Sequence, residues 1–170
     1  MSATDLGPMP SAATSRTVDT QLVRAPMDRI FDLAAAVEAW PTLLAHYRYV
    51  QFRERVAEGG VVEMSANRLF GPVPWPTWWV SLMQVRRGAA PSIRFRHIEG
   101  VTTRMEVEWS FAAEAGGTRV TVTHLWNGPR WPGIGGLAAR LVIGPVFVHG
   151  IASQTLAGLA RVAEASQTSG

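Results

Sequence analysis

Strict alternation of apolar and polar residues is clearest in the second half of the chain. Ile93, Phe95 and His97 fall on one face, as do Met105, Val107, Trp109 and Phe111, and Val120, Val122, His124 and Trp126. The opposite face carries Arg94, Arg96, Arg104, Glu106, Glu108, Arg119, Thr121 and Thr123. Period two means strands with one dry and one wet face, predicted at Ser92–Ile98, Thr102–Ala113 and Thr118–Trp126. Four more are predicted at Thr17–Arg24, Tyr47–Val56, Val61–Phe70 and Trp78–Arg87. Glu58-Gly59-Gly60, Gly88–Pro91 and Ala115-Gly116-Gly117 read as turns. The three prolines of Gly71–Pro76 lack amide donors, so that stretch is expected as a loop or an edge. The sum is seven strands in sequential antiparallel order.

Two regions break the alternation. After Ala25, Pro26 suits the first turn of a helix, Asp28 favours its positive end, and Ile30, Phe31, Leu33 and Ala34 form an apolar side. A second short helical turn is expected after Trp40-Pro41, through Leu43 and Leu44. The alanine- and leucine-rich segment Gly133–Ala165 predicts one long helix, kinked near Gly144-Pro145, with Leu137, Leu141, Phe147, Ile151, Leu156 and Leu159 against the dry face. This is an α+β chain whose curved sheet wraps a terminal helix and can leave a hollow between them.

At 170 residues and 47% hydrophobic content, one domain with a single core is expected at 16–166. Residues 1–15, rich in Ser, Ala, Thr and Pro, are expected as a disordered lead-in without signal-peptide features. The absence of cysteine excludes disulfides, thiolate nucleophiles and thiolate metal sites. All sixteen basic residues are arginine, spread from Arg16 to Arg161 without a basic run, which argues against nucleic-acid binding. The apolar stretch Leu141–Ala152 falls short of the roughly 20 residues a spanning helix needs. A soluble, cytoplasmic protein is expected.

The chain resembles the helix-grip (SRPBCC) superfamily of Bet v 1-like, START-like and polyketide aromatase/cyclase proteins. The resemblance is carried by Ala25-Pro26, the helix through Phe31 and Leu33, Glu38-Ala39-Trp40-Pro41, Tyr47, Trp79-Val80-Ser81 and Gly116-Gly117-Thr118. It is most specific to the single-domain aromatase/cyclases of bacterial aromatic polyketide pathways. It implies a seven-stranded curved sheet around a long C-terminal helix, with two short helices after the first strand. It also implies a cavity for a poly-β-ketone chain, lined by a tyrosine, a tryptophan, a serine and an arginine. These map to Tyr47, to Trp40 and Trp79, and to Ser81. The arginine has no counterpart, since Met83 stands two residues after Ser81.

The candidate chemistry follows from the dry face. His97 and His124 sit among apolar neighbours two strands apart, and an imidazole there can move protons in an enolisation or dehydration. A core histidine that is merely hydrogen-bonded is the competing reading. Tyr47 is a donor for a developing enolate oxygen, with Tyr49 expected beside it on the same face. Tyr47, His97, His124 and Ser81 are therefore the candidate catalytic residues. Trp40, Trp79, Met83 and Phe95 are candidate substrate contacts, as are Trp109, Trp126 and Phe147, although Trp40 and Trp109 also read as core. The four histidines, with no close ligand spacing and no carboxylate beside them, predict no metal site. The expected function is cofactor-independent cyclisation or dehydration of a polyketide-type substrate, with an acyl carrier protein as a further candidate partner. The alternative is non-catalytic binding of a quinone, lipid or other hydrophobic small molecule.

Overall fold

The computed structural model describes residues 5–70, 73–100, 102–128 and 144–165, with side chains at 68–70, 73–74 and 144–149 outside the described set. The chain runs β1 (Ser15–Val23), α1 (Met27–Ala35), a 3-10 turn (Val37–Ala39), α2 (Trp40–Leu43), β2 (Tyr47–Val56), β3 (Gly59–Phe70) and β4 (Val73–Arg86). It continues through β5 (Ser92–Gly100), β6 (Glu106–Glu114) and β7 (Gly117–Trp126) to α3 (Gly144–Ala165). The seven strands form one antiparallel sheet in the order β1-β7-β6-β5-β4-β3-β2. Strands β2 to β7 pair with their sequence neighbours, and β1 joins the far edge beside β7. The sheet curves around α3, whose Ala152, Leu156, Leu159, Ala160 and Ala163 are buried against it and against α1. Among the described residues no helix is long and apolar enough to cross a membrane.

Several expectations take a different form. The β2–β3 pairing slips between Tyr47 and Tyr49. A bulge of this kind turns the following side chains over, so Val50 is buried and Tyr49 instead donates to Glu63 Oε1 at 2.7 Å. Tyr47 and Tyr49 therefore do not share a face. The proline-rich stretch is strand from Val73 onward. It pairs with β3 throughout, and β5 accompanies β4 only from Trp79, so Pro74 and Pro76 occupy the one-sided end that their missing amides tolerate. The described part of the helix begins at Gly144, so the kink expected near Gly144-Pro145 falls at the limit of the described residues. Leu137 and Leu141 lie outside the described residues.

The wet face is the largest correction. Arg94 and Glu106, assigned to solvent, are 3% and 7% exposed. Residues from Asp5 onward, expected as a disordered lead-in, run over the outer face of the sheet instead. Leu6 is buried, Arg94 donates to the Gly7 carbonyl, and Arg96 donates to the Leu6 carbonyl at 2.9 Å. Beneath them Glu106 pairs with Arg94 at 3.1 Å and with Arg96. The buried Arg94–Glu106 pair and the backbone carbonyl on Arg94 make the burial of both groups tolerable, while Arg96 reaches Glu106 from a partly exposed position.

Candidate functional site: a buried chamber under the long helix

Between the concave sheet and α3 lies a cavity of about 80 Å³. Trp40 and Tyr47 form one wall, Met64 and Trp79 the next, and Phe95, His97, Val107, Trp109 and His124 the floor. Thr102 and Met105 enter from the β5–β6 turn, and Ile151, Ala152 and Thr155 come from α3. This volume is below the roughly 300–1,000 Å³ of pockets that swallow a whole drug-sized ligand. The described part of the chamber therefore suits one ring or one folded segment at a time.

The walls are aromatic and mutually braced. Trp40 opens α2, and its indole N–H donates to the Leu33 carbonyl at 3.1 Å. Its ring packs on Tyr47 at 5.2 Å and on Trp109 at 6.0 Å. Trp79 stacks nearly parallel to His97, with ring centres 6.0 Å apart. Tyr47 begins β2 as a buried residue, and its hydroxyl lies 3.3 Å from Thr155 Oγ1 on α3. Burial pushes the Tyr47 phenol well above its ordinary pKa, against a smaller opposing pull from the Thr155 hydrogen bond. The group is a neutral donor at any working pH.

His97 and His124 come from β5 and β7, either side of β6, and line the same chamber. His97 Nδ1 is 2.6 Å from Thr102 Oγ1. Burial holds the His97 pKa down to about 3, and the neighbouring His124 pushes it the same way, so His97 is a neutral imidazole. Thr102 is positioned by the turn that bridges β5 and β6, where His97 and Met105 are backbone partners and Arg104 takes a positive φ of 71°. Trp126 braces that turn, its indole donating to the Thr103 carbonyl at 3.2 Å.

Of the candidates, Tyr47, His97, His124, Trp40, Trp79, Phe95 and Trp109 converge on the chamber. Ser81, Met83 and Trp126 do not line it. Ser81 is fully buried on the inner side of β4 between Trp79 and Met83, with its hydroxyl unpartnered among the described residues. Met83 is packed in the core, and Trp126 holds the turn. The Phe147 side chain lies outside the described residues. Thr155, Thr102 and Met64 were not anticipated. Met64 is legible from the Val62, Met64, Ala66 alternation, and Thr155 from being a lone polar residue between Ile151 and Leu159 on the helix's buried stripe. Thr102 carried no such signal, because it sits in a turn. No cluster of three or more potential metal ligands occurs among the described residues.

Comparison with known proteins places this geometry. Residues 23–146 match the family described as polyketide cyclase/dehydrase and lipid transport. A protein of Thermus thermophilus superposes with a TM-score of 0.73 at 22% identity, over 89% of this chain and 99% of its own. The Zhui aromatase/cyclase of Streptomyces sp. R1128 superposes with a TM-score of 0.71 at 18% identity, over 88% and 93%. A START superfamily protein of Mycobacterium smegmatis gives 0.58 at 16% identity, over 89% and 95%. At these identities the solved structures establish the helix-grip, START-like fold, and the family match goes further: the chain belongs to the polyketide cyclase/dehydrase and lipid transport family.

Proposed function

We propose that the chamber takes the reacting segment of a poly-β-ketone-type substrate and promotes its cyclisation and dehydration by proton transfer, without a cofactor. The observation that carries this reading is the convergence of one neutral phenol and two imidazoles in a mostly apolar space. The base is His124, since an imidazole held as low as that of His97 is too weak a base for this step: it removes a proton from a methylene flanked by two carbonyls, and the electron pair moves to the carbonyl oxygen, which accepts a hydrogen bond from Tyr47. The enolate carbon attacks a second carbonyl of the same chain, forming the carbon–carbon bond, and the new alkoxide takes a proton from the imidazolium. The imidazole then takes a further α-proton and delivers a proton to the departing hydroxyl, which leaves as water as the carbon–carbon double bond forms. Aromatic walls hold the chain in the reactive fold, which alone removes several kcal/mol of barrier.

The test is product analysis with poly-β-ketone substrates presented free and on an acyl carrier protein. Tyr47→Phe is expected to lower the rate of ring formation about 100-fold, the cost of removing one oxyanion donor, and His124→Ala to lower it as well. Unchanged products from both variants, with retained binding, favour the second reading, a carrier for a hydrophobic small molecule. The mostly apolar lining supports that alternative.

A further inference from the structure

The chamber's phenol has a connection to the outside that ring closure by itself does not need. Thr155 Oγ1 on α3 lies 3.3 Å from Tyr47 OH on one side and 3.0 Å from His46 Nε2 on the other. His46 immediately precedes Tyr47 at the mouth of β2, and it is half-buried where Tyr47 and Thr155 are buried. Its ring packs on Tyr47 with centres 4.7 Å apart. Three groups are thus in series from the chamber to the partly exposed edge of the sheet.

We propose that His46 and Thr155 form a proton path that reloads the Tyr47 hydroxyl from solvent. The proposal rests on the proton-transfer reading of the chamber. Thr155 has one proton and three neighbours. At rest it shares that proton between the Ile151 carbonyl at 2.7 Å and the Tyr47 hydroxyl oxygen at 3.3 Å, which leaves its lone pairs free to accept from Nε2–H of His46. When Tyr47, in place of the imidazolium, gives its proton to the new alkoxide, Thr155 turns from the Ile151 carbonyl and donates to the phenolate. His46 then passes its Nε2 proton to Thr155 and takes a proton from water at Nδ1. Each bond to hydrogen broken is matched by one formed, and the imidazole ends as the other neutral tautomer. Burial also lowers the His46 pKa, which favours this neutral relay over a fixed charge. His46 and Thr155 act through Tyr47 and are positioning residues. If Thr155 were merely satisfying itself by bonding back to its own helix, His46 would have no influence on the phenol.

The experiment reads the hydroxyl proton directly and needs no substrate. The chain has two tyrosines, so Tyr49→Phe leaves Tyr47 alone. With carbon-13 at its Cζ, in equal parts H2O and D2O, fast exchange gives one averaged line and slow exchange gives two. The expected result is one line in the Tyr49→Phe background and exchange at least about tenfold slower after His46→Phe or Thr155→Val. Thr155→Ser, which keeps the hydroxyl, retains the rapid exchange. Two lines without further change, an undiminished rate in either variant, or slow exchange in Thr155→Ser each overturns the path. Should Thr155→Val fail to fold, His46→Phe and Thr155→Ser decide. A slow hydroxyl leaves the ring-closure reading standing, whereas a fast, His46-dependent hydroxyl with no product from any substrate overturns that reading alone.

Discussion

His97 shows what burial does to a single residue. Its folded pKa is about 3, against an ordinary 6.5, so the unfolded chain binds a proton between those values that the native one refuses. Stability from this group is complete above pH 6.5 and is lost as pH falls towards 3, at about 1.4 kcal/mol per pH unit within that window. Urea unfolding of the native protein and His97→Gln over pH 7 to 4 measures this as a difference in slope, with the variant shallower. Parallel slopes mean that His97 is not buried neutral. The period-two pattern put His97 and His124 on the dry face, and the family resemblance singled out Tyr47. Ser81, carried over by that resemblance, and Met83 beside it are buried but do not line the chamber, because facing inward is not the same as facing a cavity. Which inward side chains touch one another and which touch empty space depends on sheet curvature and on where α3 lies.

At the scale of elements, the order of β2–β7 and most boundaries follow from alternation and turn composition, whereas the place of β1 beside β7 does not. Tyr47–Val56 and the sequential meander are found as expected. The departures sit where backbone geometry overrides side-chain period: the bulge at Tyr47/Tyr49 and the glycine start of β3. Gly59 has a φ of 134°, and a Cβ there would lie 2.0 Å from the Met83 carbonyl oxygen on β4. That contact is with backbone, which cannot step aside without shifting the β3–β4 pairing. Gly59→Ala is therefore expected to destabilise the fold by about 2 kcal/mol, seen as a lower midpoint in chemical denaturation. An unchanged midpoint means that the hairpin adjusts freely. Gly158 tells the helix side of the story: a Cβ there would meet Leu44 Cδ2 at 2.3 Å, and this close approach lets α3 settle onto the α2 end of the sheet.

For the whole molecule, the outer face of the sheet is closed by residues from Asp5 onward, and this layer is absent from any local pattern. Removing residues 1–14 strips Leu6 from the surface and deprives Arg94 and Arg96 of the Gly7 and Leu6 carbonyls. The expected loss is about 2 kcal/mol from apolar exposure and broken charge-assisted hydrogen bonds, measured as a lower urea midpoint. Equal midpoints mean that the layer adds nothing to stability. By itself the sequence determined the α+β class, the seven antiparallel strands with β2–β7 as a meander, the early and late helices and the inward set of aromatic and imidazole residues. These are consequences of periodicity, turn chemistry and side-chain polarity within a few neighbouring positions. Tertiary structure alone decided that Arg94 and Glu106 are buried, that Thr102 and Thr155 reach His97 and Tyr47, and that a void survives among the tryptophans. Each of those depends on residues far apart in the chain arriving at one place, and no local pattern encodes the distance between them.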